Sequence, residues 1–160
     1  MSRLVLYHGS NRDFASVSLD KSRDRRDFGK GFYTTTIKSQ AEQWANNLRT
    51  RYGGQGRFLY VFEFDWSDEL KYKVFEGLNL EWLEMVRENR MLGGLQHASD
   101  VVRGPVANDD TMPTLALYVD GLLSADAALT QLAYFKANDQ VSLHTTAALS
   151  RLRMTDKVLL

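Results

Sequence analysis

From Arg57 to Asp65 the chain alternates, with Phe58, Tyr60, Phe62 and Phe64 on one face. Rings spaced by two share a face only in extended backbone, because a helix of period 3.6 scatters them around its axis. The fold must therefore contain a strand with one face committed to a core. Lys71 to Phe75 reads as a neighbouring strand reached across a turn at Ser67-Asp68.

The other elements follow from shorter signals. Leu4 to Tyr7 is a short buried strand ended by the turn-forming Gly9-Ser10-Asn11. Gly29 and Gly31 precede the aromatic and β-branched run Phe32 to Thr36, which predicts a loop feeding a second strand. Ser39 and Glu42 fit a capping box, and Ala41, Trp44, Ala45 and Leu48 carry a helix that Gly53-Gly54 stops. A helix within Asn79 to Met91, a strand over Asp100 to Val102 and a helix over Met112 to Val119 come next. Ser124 caps a helix through Phe135, Gln140 to His144 is a strand, Thr145 to Leu152 a short helix, and Val158 to Leu160 a last strand. Strands and helices mix without a βαβ rhythm, so the class is α+β with a mixed, mostly antiparallel sheet.

Composition sets the frame. With 160 residues, 44% of them hydrophobic and 25% charged, the chain is expected to be one globular domain over 1–160. A chain of this size buries about 70% of its unfolded surface and supports an ordinary core. The absence of cysteine excludes a disulfide scaffold, a zinc–thiolate site and a cysteine nucleophile. Met1 to His8 lacks a secretory pattern and no stretch is long enough to span a bilayer, so a cytoplasmic location without membrane association is expected. The net charge of zero offers no global footprint for nucleic acid. Lys21 to Lys30 is the densest basic run, either a solvated loop or a local anion-binding patch.

Among groups with chemistry, His8 stands at a strand end, where a side chain either meets a ligand or bonds a neighbouring loop. The glycine pair before Phe32-Tyr33 permits close backbone approach to a ligand beside rings that stack on a flat group. Phosphate-loop, dinucleotide-fold, serine-hydrolase and zinc-protease motifs are missing, and His8, His97 and His144 lack the spacing of metal ligands. Asp109-Asp110 is a pair of carboxylates or a simple loop or cap.

Taken in order, Tyr7-His8-Gly9 and Gly29-Lys30-Gly31-Phe32-Tyr33-Thr34-Thr35, with the Ser39/Ala41 helix behind them, resemble the first two motifs of the ADP-ribosyltransferase superfamily in its diphtheria-toxin and poly(ADP-ribose) polymerase branch. Asp27 to Tyr33, Phe75-Glu76 with Glu81-Trp82-Leu83, Asn89-Arg90, Asp100 to Val102 with Gly104 to Asp109, and Asp139 to Thr145 are similar to an uncharacterised bacterial family assigned to that superfamily. The resemblance implies an ADP-ribosyltransferase-like fold with a split sheet and flanking helices, and NAD⁺ as co-substrate without a metal. It implies that His8 bonds a ribose hydroxyl, that the Gly9 backbone clamps the carboxamide, and that Tyr33 stacks on nicotinamide beside Gly31 and Phe32. Arg23 would reach the diphosphate as a fork of donors. The late-strand glutamate of the superfamily is matched by Gln140, which accepts a hydrogen bond but supplies neither charge nor a general base. Single transfer rather than polymerisation is the expectation, with Asp109 as a carboxylate that could help.

Kinship further implies a bacterial toxin restrained by an antitoxin protein, or a phage-defence factor, acting on a protein or nucleic-acid acceptor. Two alternatives stay open. One is a binding module that senses NAD⁺ or ADP-ribose without turnover. The other is an RNA 2′-phosphotransferase, which calls for several arginines beside the histidine, with Arg23 and Arg103 as candidates.

Overall fold

The four aromatic residues do share one face of a strand, β3 (Phe58–Trp66), in a computed structural model that describes residues 2–21, 23, 25–106, 111–133 and 138–160. β3 lies between β1 (Ser2–Ser10) and β7 (Leu152–Leu159), antiparallel to both. A second sheet runs in the order β2 (Phe32–Thr34), β6 (Gln140–Leu143), β5 (Val101–Gly104), β4 (Tyr72–Val74). Only the β4–β5 pair in it is parallel. The sheets are stitched where Tyr7 and Thr35 exchange N–H···O bonds of 2.8 and 2.9 Å. The class is α+β with mostly antiparallel strands, as expected, and the strands fall into two sheets.

Packing explains the layering. Phe58, Tyr60, Phe62 and Phe64 from the first sheet join Phe32, Val101, Val141 and Leu143 from the second in one buried core. The opposite face of the second sheet, carrying Tyr33 and Val102, packs on Trp82, Leu83 and Val86 of α2 (Leu80–Leu92). α3 (Met112–Val119) and α4 (Ala125–Leu132) add Leu115 and Leu132 to that second core. α1 (Lys38–Tyr52) lies against β1 so closely that a Cβ on Gly9 would stand 1.9 Å from the Ala41 carbonyl oxygen. Ala41 and Ala45 are fully buried there, and helix backbone fills the space a side chain at position 9 would need.

Three local expectations need correction, and a fourth falls outside the described residues. β4 pairs with β5, not β3: Trp66 and Tyr72 stack at 4.1 Å, and the Tyr72 hydroxyl bonds Ser67 N and O, closing the turn on itself and handing the chain to the other sheet. The Ser39 capping box does not form, because α1 starts at Lys38 with Ile37 as an N-cap that makes no side-chain bond. The last helix is only α5 (Thr146–Leu149), capped by the Thr145 hydroxyl, and β7 begins at Leu152 rather than Val158. α4 ends at Leu132, and the predicted end at Phe135 lies outside the described residues. Ser124 caps α4 as expected, accepting from Ala127 N, and Asn79 caps α2 in the same way, accepting from Trp82 N.

Candidate functional site

His8 sits near the end of β1, where the strand passes β2. Its Nδ1 lies 2.6 Å from the Tyr33 carbonyl oxygen, so this nitrogen carries the proton and donates. Nε2 is then left as an acceptor. Burial among Phe32, Phe14 and Tyr60, the first at 4.4 Å between ring centroids, pushes the imidazole pKa down to about 4. His8 is neutral at physiological pH.

Gly9 offers backbone rather than a side chain. Tyr7 turns its N–H and C=O away from β3 to meet Thr35. By the alternation of an antiparallel ladder, Gly9 turns its own pair to the same edge two residues on. That edge borders an open cleft of about 1560 Å³ whose wall includes His8, Gly9, Gly31, Phe32 and Tyr33.

Tyr33 is 3% exposed and held from three sides. Its hydroxyl accepts from Phe28 N at 2.9 Å and donates to Gly29 O at 2.6 Å. Both belong to a turn from Arg26 to Gly29 closed by a 3.1 Å bond from Gly29 N to Arg26 O, with Gly29 at φ +89°. The ring edge meets His144 at 6.1 Å and 89°. Over the ring lies the Arg26 guanidinium, 4.1 Å from the centroid. Burial raises the Tyr33 phenol pKa, so the hydroxyl stays protonated.

Electrostatically the cleft is one-sided. Arg12, Arg23, Arg26, Arg51 and Arg90 line it, with Asp13 as the only carboxylate among the described lining residues. Asp13 is already joined to Lys157 at 2.6 Å. A protein of zero net charge thus gathers cations at one place, which suits an anionic ligand. Gln43, Asn47 and the half-buried Trp44 of α1 extend the wall with amides and an aromatic ring.

The structure brings together His8, Gly9, Arg23, Gly31, Phe32 and Tyr33, all of which line the cleft. Gln140 is set apart. It is 1% exposed, does not line the cleft, and its Nε2 donates to Asp27 Oδ2 at 3.4 Å and Pro105 O at 3.2 Å. Asp27 in turn takes the Arg90 guanidinium on Oδ1, its Nε at 2.8 Å. Gln140 therefore braces the turn to which the Tyr33 hydroxyl is bonded. Gly31 answers to packing, since a Cβ there would lie 2.5 Å from His144 Nδ1. Arg103 pairs with Asp139 at 3.2 Å and does not line the cleft. Asp109 and Asp110 lie outside the described residues.

Sequence reasoning missed Arg26, Arg90, Arg12, Arg51 and Trp44. The basic run from Lys21 to Lys30 was the signal for Arg26; Asn89-Arg90 stood out only as part of the family resemblance, with nothing to say that Arg90 reaches the cleft from α2. Among the described residues no cluster of three His, Cys, Asp or Glu side chains is arranged to hold a metal, and no helix is long and apolar enough to cross a membrane.

The chain matches, over residues 4–154, the model of DUF3990, a family described as proteins of unknown function, and it belongs to that family. No curated protein and no solved structure matches it.

Proposed function

We propose that this DUF3990 protein has an ADP-ribosyltransferase-like fold and is a mono-ADP-ribosyltransferase that uses NAD⁺. The observation that carries the reading is the joining of His8 to Tyr33, by a 2.6 Å bond between the two sheets, on the wall of an arginine-lined cleft. In transfer, the bond between the ribose anomeric carbon and nicotinamide N1 breaks and its electron pair leaves with nicotinamide. An acceptor nucleophile then bonds the anomeric carbon and gives up a proton to solvent.

Each residue has a task in this scheme. Neutral His8 accepts from a ribose hydroxyl through Nε2, which orients the sugar as positive charge grows on it. The Gly9 N–H and C=O hold the carboxamide, a donor–acceptor pair meeting its complement. Tyr33 supplies the flat surface for the pyridinium, and Arg23 and its neighbours meet the diphosphate. Gln140 positions the Tyr33 turn through Asp27, leaving Asp13, paired with Lys157, as the one carboxylate among the described residues of the cleft wall. This suits single transfer to an acceptor that is already nucleophilic, such as a protein or nucleic-acid group. A cytoplasmic bacterial toxin restrained by an antitoxin protein, or a phage-defence factor, is the biological setting this chemistry fits.

The test is incubation with NAD⁺ labelled in its adenylate half together with protein extract, RNA or single-stranded DNA. Label on one acceptor, absent with His8→Ala, supports the transferase. NAD⁺ bound but never turned over would leave a sensor of NAD⁺ or ADP-ribose.

One observation favours a second reading. Arginines at positions 12, 23, 26, 51 and 90, lining the same cleft as His8, match the demand of an RNA 2′-phosphotransferase for several cations at its site. RNA bearing an internal 2′-phosphate, offered with NAD⁺, separates the two. Loss of that phosphate, abolished by Arg23→Ala and not by Arg103→Ala, would select the phosphotransferase.

A further inference from the structure

We infer that Arg26 is the specificity-determining residue of the Tyr33 face, an internal flat cation that occupies the stacking position and yields it to a pyridinium. The inference rests on the NAD⁺ reading above. It starts from a mismatch: a ring meant to hold a ligand is 3% exposed, although its residue lines a wide cleft. One side of Tyr33 belongs to the core with Val102 and Phe28, and its edge meets His144. Arg26 covers it as well, 4.1 Å from the centroid.

The cover is built into the turn. The Tyr33 hydroxyl is bonded to Phe28 N and Gly29 O, and Gly29 N to Arg26 O, so the ring anchors the segment that lays the guanidinium back over it. Asp27, the next residue, is fixed by Arg90 and Gln140. Arg26 itself is held in a partly buried position where desolvation opposes its charge, Tyr33 and Asp27 favour it, and Arg23 and Arg90 oppose it. Desolvation is the largest of these and the balance disfavours the charge, so the guanidinium yields its place to another planar cation.

The exchange is selective because of what an aromatic face attracts. Its quadrupole favours a planar cation, and the pyridinium of NAD⁺ is one, whereas neutral nicotinamide or the dihydro ring of NADH is not. Arg26 thus sets a threshold: a ring must bring positive charge to replace it. After the bond to ribose breaks, nicotinamide is neutral and the guanidinium returns, which favours release of that product.

The experiment titrates wild type and Arg26→Ala with two probes, the cation 1-methylnicotinamide and ADP-ribose, by calorimetry. The inference expects 1-methylnicotinamide to bind Arg26→Ala about 2- to 30-fold more tightly than wild type, the range of one cation–π contact. ADP-ribose, which lacks the ring, should bind the variant no more tightly. Equal or weaker 1-methylnicotinamide binding by the variant, with ADP-ribose still bound by both proteins, overturns the role of Arg26 alone. Failure of wild type to bind ADP-ribose or NAD⁺ overturns the NAD⁺ reading and this inference with it. Arg26→Gln, which keeps a long side chain without its charge, is read in the same way should Arg26→Ala not fold.

Discussion

Placing a glutamate at position 140, where the ADP-ribosyltransferase motif carries one, should damage this protein rather than improve it. Gln140 Nε2 lies 3.4 Å from Asp27 Oδ2, and both side chains are almost fully buried. Gln140→Glu replaces that donor with an oxygen, so two carboxylates face each other at the same separation. At an effective dielectric constant of about 20, their repulsion is about 5 kcal/mol. Arg90, bonded to Asp27, offsets part of this and leaves a net loss of about 2–4 kcal/mol, to which the lost donation to Pro105 O adds. The sign with pH follows from linkage. Repulsion raises the folded-state pKa of the introduced carboxyl above its unfolded value of about 4.3, so the folded state holds the proton longer. The penalty is absent below about pH 4.3, grows as pH rises towards the raised folded pKa, and is constant above it. Urea denaturation of variant and wild type near pH 4 and pH 8 measures it. Equal stability of the two at both pH values would show that the buried Asp27–Gln140 contact is not what holds the turn.

Three further outcomes follow from the same geometry. Gly9→Ala puts a Cβ 1.9 Å from the Ala41 carbonyl, so α1 must shift on β1; a loss of about 3 kcal/mol or more is expected in thermal denaturation, together with weaker ligand binding at the displaced cleft wall. His144 is held neutral, its pKa lowered by burial to about 4, so the unfolded state binds the extra proton first and stability falls as pH drops from about 6.5 towards 4; that slope should flatten in His144→Gln during denaturant titrations across the range. For His8, whose pKa is also lowered to about 4, ligand affinity should stay level from about pH 8 to pH 5 and weaken only as Nε2 takes up a proton near pH 4; an affinity that drops near pH 6.5 would mean the ring is not desolvated.

What the sequence made legible divides along the range of the interactions. β3 was readable because the Phe58-to-Phe64 alternation is local and strong, α2 because Leu80, Leu83 and Val86 recur at helical spacing, and α4 because Ser124 caps it within three residues. Of β7 only the end, Val158 and Leu159, was readable, since Arg153, Asp156 and Lys157 interrupt the apolar pattern that Leu152 and Met154 begin; the rest is a strand because β3 has an open edge to pair. The partner of β4 was misread for the same reason, a choice of sheet made by residues about 30 positions away. At the site, His8 and Tyr33 stood out by motif. The role of Gln140 did not, because its partner Asp27 lies 113 positions away and is itself held by Arg90, 63 positions further along the chain from Asp27. Nor did the choice of Arg26 over Arg23 for the Tyr33 face, since neighbouring arginines in a basic run differ only once the turn fixes where each points.

The central claim is that the His8–Gly9–Tyr33 wall binds the nicotinamide-ribose end of NAD⁺. Calorimetric titration of NAD⁺ into wild type and His8→Ala, with circular dichroism confirming the fold of both, tests it most directly. Removing a hydrogen bond to a ribose hydroxyl together with its buried ring should weaken binding by about tenfold or more. Saturable binding by wild type with that loss in the variant is the predicted result. No binding by wild type, or equal affinity in the two proteins, would contradict the account.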